Sequence, residues 1–238
     1  MREPGDDPTI NYLKSHIKGA QYLDLFNLKD HSTNLPLMMP NEAYFVAAMK
    51  RLNIKLSDNV VCYDTGKMQF FGYRAAWMLQ AMGHPNTRVL DGGFDKWTKE
   101  GRPTESTDGG AAADQFAYKL NPGMIKTGAQ MKAFAGSEAE RTYQLLDVRG
   151  PPQDFANGHI EGAKHFPIPK VFDMNAKQMK SAEERKKVFQ EAGVDLSKDI
   201  TLSCMSGVAA TVVFNALSDI STGNNSVYDG SWSEYSKL

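Results

Sequence analysis

Short apolar runs alternate along the chain with longer stretches whose apolar residues recur at helical spacing. Helical spacing predicts helices over residues 42–52, 71–82 and 208–218, the first with Asn41 as its N-cap. Ser181 and Glu184 form a capping-box pattern before a fourth helix that ends near Gly193. Apolar runs at 60–64, 144–148, 200–203 and 226–228 predict short strands. This alternation favours an α/β fold, with a mainly parallel sheet flanked by helices.

The two halves of the chain repeat the same landmarks in the same order. Each half has a His-Ile-x-Gly-Ala segment, a β-type run and an Asp-Gly segment, beginning at His16, Val60 and Asp91 and again at His159, Ile200 and Asp229. The spacing from His16 to Asp64 is 48 residues, and that from His159 to Cys204 is 45. We therefore predict a tandem duplication in which Asp64 and Cys204 are equivalent.

This repeat divides the chain into two predicted domains, 1–103 and 117–238. Residues 104–116 are rich in Gly, Ala and small polar residues and are predicted to be the linker. Twelve residues before His16, where the second half has a strand, lies Pro4 in a polar segment. The first domain is therefore expected to lack its N-terminal strand. A chain that begins late, a first domain with a changed role, and pairing supplied by another protein all stay open.

Composition excludes several functional classes. The 238 residues are 41 % apolar and 23 % charged with a net charge of −1, which fits a globular protein without a global attraction to nucleic acid. No apolar run has the roughly 20 residues of a membrane span, and no targeting segment is visible. Two cysteines and scattered histidines predict a reducing compartment, no disulfide scaffold and no metal site.

Cys204 is the candidate for chemistry, because it follows a predicted strand and precedes a predicted helix. Ligands bind at the carboxyl ends of parallel strands, and Gly207 with its small neighbours lets the backbone curl around the sulfur. The backbone N–H groups and the helix N-terminus then stabilise a thiolate. Cys62 lies inside a strand and is interpreted as a small buried apolar residue.

These segments together resemble the tandem rhodanese-type sulfurtransferases over nearly the whole chain. The resemblance is carried by the segments that begin at Asp91, Asn121, Leu146, His159, Cys204 and Asp229. It implies two rhodanese-like domains, of which only the second carries the nucleophile. Asp64 opposite Cys204 fits that asymmetry.

The resemblance implies transfer of a sulfane sulfur through a persulfide on Cys204. A small-molecule donor gives its sulfur to the thiolate, and cyanide, a thiol or a thioredoxin-like protein accepts it. No cofactor, metal, nucleic acid or membrane span is expected. Relatives of this kind are mitochondrial or cytoplasmic, so either location is expected.

Within the family that this chain resembles, the loop sequence differs between proteins that use different sulfur donors. Thiosulfate-type loops resemble Cys-Arg-Lys-Gly and mercaptopyruvate-type loops resemble Cys-Gly-Ser-Gly, whereas this chain has Met205 and Ser206, a serine without a cation. We therefore expect 3-mercaptopyruvate to be favoured over thiosulfate, with catalytic Ser206 relaying a proton. Substrate-binding roles are expected for the residues Arg149, Met205, Gly207, Val208, Ala209 and Trp232. A loop serine, an ion-paired Arg149 and a core Trp232 stay open as alternatives.

Three departures from the family pattern favour a second hypothesis. Ala209 replaces a Thr or Ser, Leu37 stands where a histidine is common, and no second Arg follows Arg149 closely. The alternative function is therefore a catalytically weak or inactive structural or regulatory subunit of a larger assembly. A phosphatase of this fold would need Arg at the sixth position after the cysteine, which is Ala210, so that activity is excluded.

Overall fold

A computed structural model describes residues 8–106 and 117–238, so most of the predicted linker lies outside the described residues. The first half contains, in order, α1 (Pro8–Lys14), β1 (His16–Ile17), α2 (Glu42–Arg51), β2 (Val60–Cys62), α3 (Phe70–Ala81), β3 (Thr87–Val89), α4 (Gly93–Lys99) and β4 (Thr104–Glu105). β4 pairs antiparallel with β1, so the first two residues of the predicted linker belong to this strand.

The second half contains a five-stranded parallel sheet in the order β5-β11-β10-β6-β7. Its elements are β5 (Ile125–Lys126), α5 (Gly128–Gly136), β6 (Gln144–Asp147), α6 (Pro152–Ala156), β7 (Lys164–His165), β8 (Phe172–Asp173), β9 (Gln178–Met179), α7 (Ala182–Glu191), β10 (Ile200–Ser203), α8 (Val208–Leu217), β11 (Asn225–Tyr228) and α9 (Ser231–Tyr235). Short 3₁₀ turns cover Pro122–Met124, Glu138–Glu140 and Ile168–Lys170. The predicted parallel α/β sheet is confirmed. None of the described helices has the length and apolar character needed to cross a membrane.

Local capping signals begin the helices where the sequence predicts them. The Asn41 side chain accepts a hydrogen bond from the N–H of Tyr44 at 2.9 Å and starts α2. Ser181 and Glu184 form the expected reciprocal capping box at the start of α7. These side chains satisfy N–H groups that have no partner within the helix, so polar residues fix each helix start.

The duplicated landmarks have the same geometry in the two halves. The His16 ring stacks on Tyr12 with centroids 4.0 Å apart, and the His159 ring stacks on Phe155 at 3.9 Å. In each pair the histidine Nδ1 lies within hydrogen-bond distance of the carbonyl oxygen four residues earlier. The tandem duplication is therefore visible in three dimensions, and these histidines stabilise the turn after α1 and α6.

The first-half sheet has an open edge that its counterpart lacks. β10 pairs with β11 on one side and β6 on the other, whereas β2 pairs only with β3 among the described residues. Val61 in β2 is 55 % exposed, although Thr201 at the equivalent position in β10 is 1 % exposed. The segment around Pro4, where the sequence predicts a missing strand, lies outside the described residues.

The two domains pack through one core in which α3 lies against α8. Phe172 in β8 reaches across the interface and makes edge-to-face contacts with Phe70 and Tyr73 of α3. All three side chains are buried. The apolar faces of the central helices therefore join the halves into one packed unit.

Two aspartate carboxylates, one from each domain, accept hydrogen bonds from the opposite domain in a matching way. Asp229 Oδ2 accepts from the N–H of Met39 at 2.6 Å, and Asp91 Oδ1 accepts from the N–H of Met179 at 2.8 Å. Met39 and Met179 each stand two residues before a helix N-cap, Asn41 in the first case and Ser181 in the second. Each Asp-Gly segment therefore holds the entrance of a helix in the opposite domain.

Replacing Phe172 with Ala is expected to lower the free energy of unfolding by about 3–5 kcal/mol, because a fully buried ring is lost and a cavity remains. Urea denaturation followed by circular dichroism measures the loss. Tyr44→Ala is the control, since Tyr44 is a surface aromatic residue that is 36 % exposed. A Phe172→Ala variant no less stable than this control contradicts the interface described above.

Candidate active site

Cys204 stands at the carboxyl end of the central strand of the second sheet. β10 ends at Ser203, and α8 begins at Val208 after the turn of Met205, Ser206 and Gly207. Gly207 is the N-cap of α8 with φ +78°, and a Cβ there would lie 2.5 Å from the carbonyl oxygen of Asp229. Only glycine fits this turn, because it tolerates both the left-handed backbone and the close approach.

The carbonyl oxygens of the cysteine loop are held on its outer side. The Cys204 carbonyl accepts from the N–H of Trp232 at 3.0 Å, and the Met205 carbonyl accepts from the N–H of Ser233 at 2.9 Å. Arg74 Nη1 donates to the Gly207 carbonyl at 3.2 Å. Helix α9 therefore holds two of these carbonyls and the first domain holds the third.

This arrangement orients the N–H groups of the loop. A trans peptide unit points its C=O and N–H in opposite directions, so outward carbonyls turn the following N–H groups inward. The N–H groups so oriented belong to Met205, Ser206 and Val208, and within the described chain they donate no hydrogen bond to a protein acceptor. Together with the N-terminus of α8 they have the arrangement that suits an anion beside Cys204.

Ser231 is a functional candidate that the sequence analysis did not identify. Its hydroxyl accepts from the Cys204 N–H at 3.1 Å, donates to the Tyr228 carbonyl at 2.8 Å and lies 3.9 Å from the Cys204 Sγ. Ser231 has φ +50°, close to the +52° of Gly93 at the equivalent position of the repeat. A non-glycine residue in this conformation is strained, and comparing the two Asp-Gly segments supplies the signal for it.

The equivalent loop in the first domain surrounds a carboxylate. Asp64 Oδ1 accepts from the N–H of Gly66 at 2.7 Å, and Oδ2 accepts from the N–H of Gly72 at 2.8 Å. Burial raises the pKa of Asp64, and these N–H groups oppose that rise. The repeat therefore uses the same frame twice, with a carboxylate in one copy and a thiol in the other.

A pocket of about 310 Å³ opens beside Cys204 and is built from both domains. Six of the eight predicted site residues line it: Arg149, Cys204, Met205, Ser206, Val208 and Ala209. Met68 and Phe70 contribute an apolar wall from the first domain, and Met174 faces it from the second. Gly207 and Trp232 are not among the lining residues. No cluster of His, Cys, Asp or Glu with the arrangement of a metal site occurs among the residues described.

Arg149 lines the pocket while its guanidinium is held from behind. Its Nε and Nη2 donate to the Asp147 carboxylate, with Nη2 to Oδ2 at 2.6 Å, and Nη2 also donates to the Gly158 carbonyl at 2.6 Å. The guanidinium carbon lies 5.0 Å from the Trp232 ring centroid, so Trp232 supports Arg149. Nη1 makes no hydrogen bond to any part of the chain that the structure describes. This nitrogen is the one that could donate to an anionic ligand in the pocket.

The three departures from the family pattern have clear positions. Leu37 is buried, and its carbonyl accepts from Arg74 Nη2 rather than its side chain lining the pocket. Ala209 lines the pocket without a hydroxyl. Arg149 is the sole cationic residue of the lining, and Asp154 stands on the exposed rim where a second cation would help an anionic donor.

Cys62, by contrast, has no comparable surroundings. It lies in β2 and is half-buried, and desolvation raises the pKa of its thiol to about 12. At neutral pH this thiol is protonated and therefore a poor nucleophile. The raised pKa of its thiol supports the interpretation of Cys62 as an apolar strand residue rather than a nucleophile.

Replacing Gly207 with Ala is expected to abolish the reactivity of Cys204, because the new Cβ would collide with the backbone of Asp229 and displace the loop. Gly136→Ala is the matched control. A Cβ at Gly136, the last residue of α5, meets nothing within 4 Å, and this helix position gains up to about 1 kcal/mol of stability. The rate of Cys204 alkylation by iodoacetamide compares the two variants. Equal rates in both would contradict the close approach at Gly207.

Comparison with known proteins agrees with this geometry. The rhodanese-like domain family matches residues 2–100 and 131–238. Thiosulfate sulfurtransferase of Gallus gallus is 34 % identical, over 96 % of this chain and 81 % of that protein. The 3-mercaptopyruvate sulfurtransferase of Escherichia coli strain K12 is 31 % identical, over 99 % of this chain and 86 % of that protein.

Solved structures show the same architecture. The crystal structure of SseA from Escherichia coli, a 3-mercaptopyruvate sulfotransferase, superposes with a TM-score of 0.85 at 30 % identity, covering 98 % of this chain and 90 % of that one. Tum1 of Saccharomyces cerevisiae, at 24 % identity, shares the fold with a TM-score of 0.80 over 99 % of this chain and 86 % of that one. The two matched segments and the high coverage of both relatives lead to one conclusion: the chain belongs to the tandem-domain rhodanese family of sulfurtransferases.

Proposed function

We propose that this protein transfers a sulfane sulfur from 3-mercaptopyruvate, or less readily from thiosulfate, to a thiophilic acceptor through a persulfide on Cys204. The observation that carries the proposal is the orientation of the N–H groups in the loop after Cys204, which follows from three carbonyls held on the outer side of that loop. Such a loop stabilises a thiolate and the negatively charged persulfide that follows it. The pocket beside it has room for a small donor.

In the first step the Cys204 thiolate attacks the sulfur of 3-mercaptopyruvate. A sulfur–sulfur bond forms and the carbon–sulfur bond breaks, and its electron pair leaves with carbon as the enolate of pyruvate. A proton then converts the enolate to pyruvate. Ser206 lines the pocket and is the residue proposed to relay that proton.

In the second step an acceptor thiolate or cyanide attacks the outer sulfur of the persulfide. The new bond to the acceptor forms, the sulfur–sulfur bond breaks, and Cys204 leaves as a thiolate. The N–H groups of the loop stabilise that thiolate as a leaving group, so the same loop serves both steps. No cofactor is required by this electron balance.

The charge of the pocket favours a monoanionic donor. Asp147 neutralises much of the charge on Arg149, which is the one cation of the lining, and Asp154 adds a negative charge at the rim. A single carboxylate matches the remaining Nη1 donor, whereas the dianion thiosulfate needs more positive charge. We therefore place 3-mercaptopyruvate ahead of thiosulfate, with its carboxylate at Arg149.

Incubation with 3-mercaptopyruvate is expected to add one sulfur atom to the protein, and thiosulfate is expected to add sulfur more slowly. Intact-mass spectrometry, followed by peptide mapping to Cys204, detects the added atom. Cys204→Ser should take up none, while Cys62→Ser should behave as the wild type because the Cys62 thiol is protonated. Absence of sulfur uptake from both donors, or uptake that persists in Cys204→Ser, overturns the proposal.

The second candidate, a structural or regulatory subunit of a larger assembly, is favoured by one observation. The edge of β2 that faces away from β3 is unpaired among the described residues, and an exposed strand edge is a template for pairing with another chain. Size-exclusion chromatography of native extract tests this function. The subunit hypothesis predicts elution well above the mass of one or two chains of 26.4 kDa, and a free monomer or dimer rejects it.

A further inference from the structure

Arg74 of the first domain reaches into the frame of the Cys204 loop. Its side chain is fully buried in α3, 0 % exposed, and its guanidinium lies 4.6 Å from the Trp77 ring centroid. Nη1 donates to Asp229 Oδ1 at 2.5 Å and to the Gly207 carbonyl at 3.2 Å, and Nη2 donates to the Leu37 carbonyl. One planar side chain therefore joins three segments of the two domains.

We propose that Arg74 is a positioning residue of the Cys204 site, which sets the direction of the Val208 N–H by holding the Gly207 carbonyl. Gly207 and Val208 share one peptide unit, so a carbonyl fixed toward Arg74 points the N–H away from it. Val208 lines the pocket and Arg74 does not, so we take the direction away from Arg74 to be the pocket side. For the sulfur-transfer reaction itself, this inference rests on the function proposed above.

The chemistry of arginine suits this task. Its rigid fork donates to Asp229, Gly207 and Leu37 at the same time, which a lysine ammonium with its single nitrogen cannot reproduce in the same geometry. The Asp229 carboxylate is 1 % exposed and balances the charge of Arg74. The pair is therefore neutral as a unit, and its influence on the loop is one of orientation rather than of net charge.

The site is consequently completed across the domain interface. The second domain orients the N–H groups of Met205 and Ser206 by itself, through the first turn of α9. The Val208 N–H, at the start of α8, depends on a residue of the first domain. This gives the first domain, which has Asp64 in place of a nucleophile, a definite part in the reactivity of Cys204.

The test measures alkylation of Cys204 by iodoacetamide as a function of pH, followed by peptide mass, which needs no sulfur donor. The principal variant is the double substitution Arg74→Met with Asp229→Asn. It removes the donor to the Gly207 carbonyl and also replaces the buried carboxylate. The ion pair of Arg74 and Asp229 thus becomes two uncharged side chains, and no buried charge is left without a partner. Circular dichroism and a cooperative thermal transition establish that it folds.

In this variant the midpoint of the pH profile is expected to rise by about 0.5 pH unit or more, because the Val208 N–H is no longer oriented to stabilise a thiolate when one forms. Asp229→Asn alone keeps the bond from Arg74 to Gly207 and should show no rise. Asp91→Asn weakens the matching contact with the Met179 N–H, which does not involve the cysteine loop, and should leave the profile unchanged.

A folded double variant with the wild-type profile overturns the proposal, and so does an equal rise in Asp91→Asn, since any loosened interface would then suffice. Arg74→Lys provides a second variant in case the double one does not fold. It keeps the positive charge but loses the fork, and its midpoint should also rise, whereas an unchanged midpoint overturns the proposal. If the wild type takes sulfur from neither donor while these profiles separate, the proposed function fails and the role of Arg74 stands.

Discussion

The site depends on the outward direction of three backbone carbonyls. Trp232 and Ser233 donate to the carbonyls of Cys204 and Met205, and Arg74 donates to that of Gly207. Because each peptide unit is planar and trans, these bonds also fix the direction of the N–H groups. The surroundings of the sulfur are thus shaped by residues that do not line the pocket, namely Arg74, Trp232 and Ser233.

The duplication places the same frame in both halves, with a cysteine at its centre in the second half alone among the described residues. In the first domain the frame surrounds the Asp64 carboxyl group, which accepts hydrogen bonds from the N–H groups of Gly66 and Gly72. In the second domain Cys204 occupies the equivalent position, and we propose that the N–H groups of its loop serve an anion formed during reaction. Asp91 and Asp229 each accept a hydrogen bond from a backbone N–H of the opposite domain, so the two halves also make equivalent contacts with each other.

Much of this could be predicted from the sequence, because strands, helix caps and repeated segments are local signals. Asn41 and Ser181 begin their helices as predicted, and the position of Cys204 after a strand located the site. Arg74 and Ser231 were missed, since each acts through the backbone of a distant segment. Contacts between domains leave no periodic pattern in the sequence. The φ of +50° at Ser231 is recognised only once the backbone is known.

We propose that Cys204 accepts one sulfur atom and holds it in the absence of an acceptor. The most direct test mixes the protein with about one equivalent of 3-mercaptopyruvate, without cyanide or any added thiol, and measures released pyruvate together with the mass of the protein. The donor is kept at one equivalent because 3-mercaptopyruvate is itself a thiol and in excess would accept the sulfur. We expect about one pyruvate and one protein-bound sulfur atom per chain, because a covalent intermediate accumulates. No pyruvate, or pyruvate released without sulfur added to the protein, would contradict this expectation.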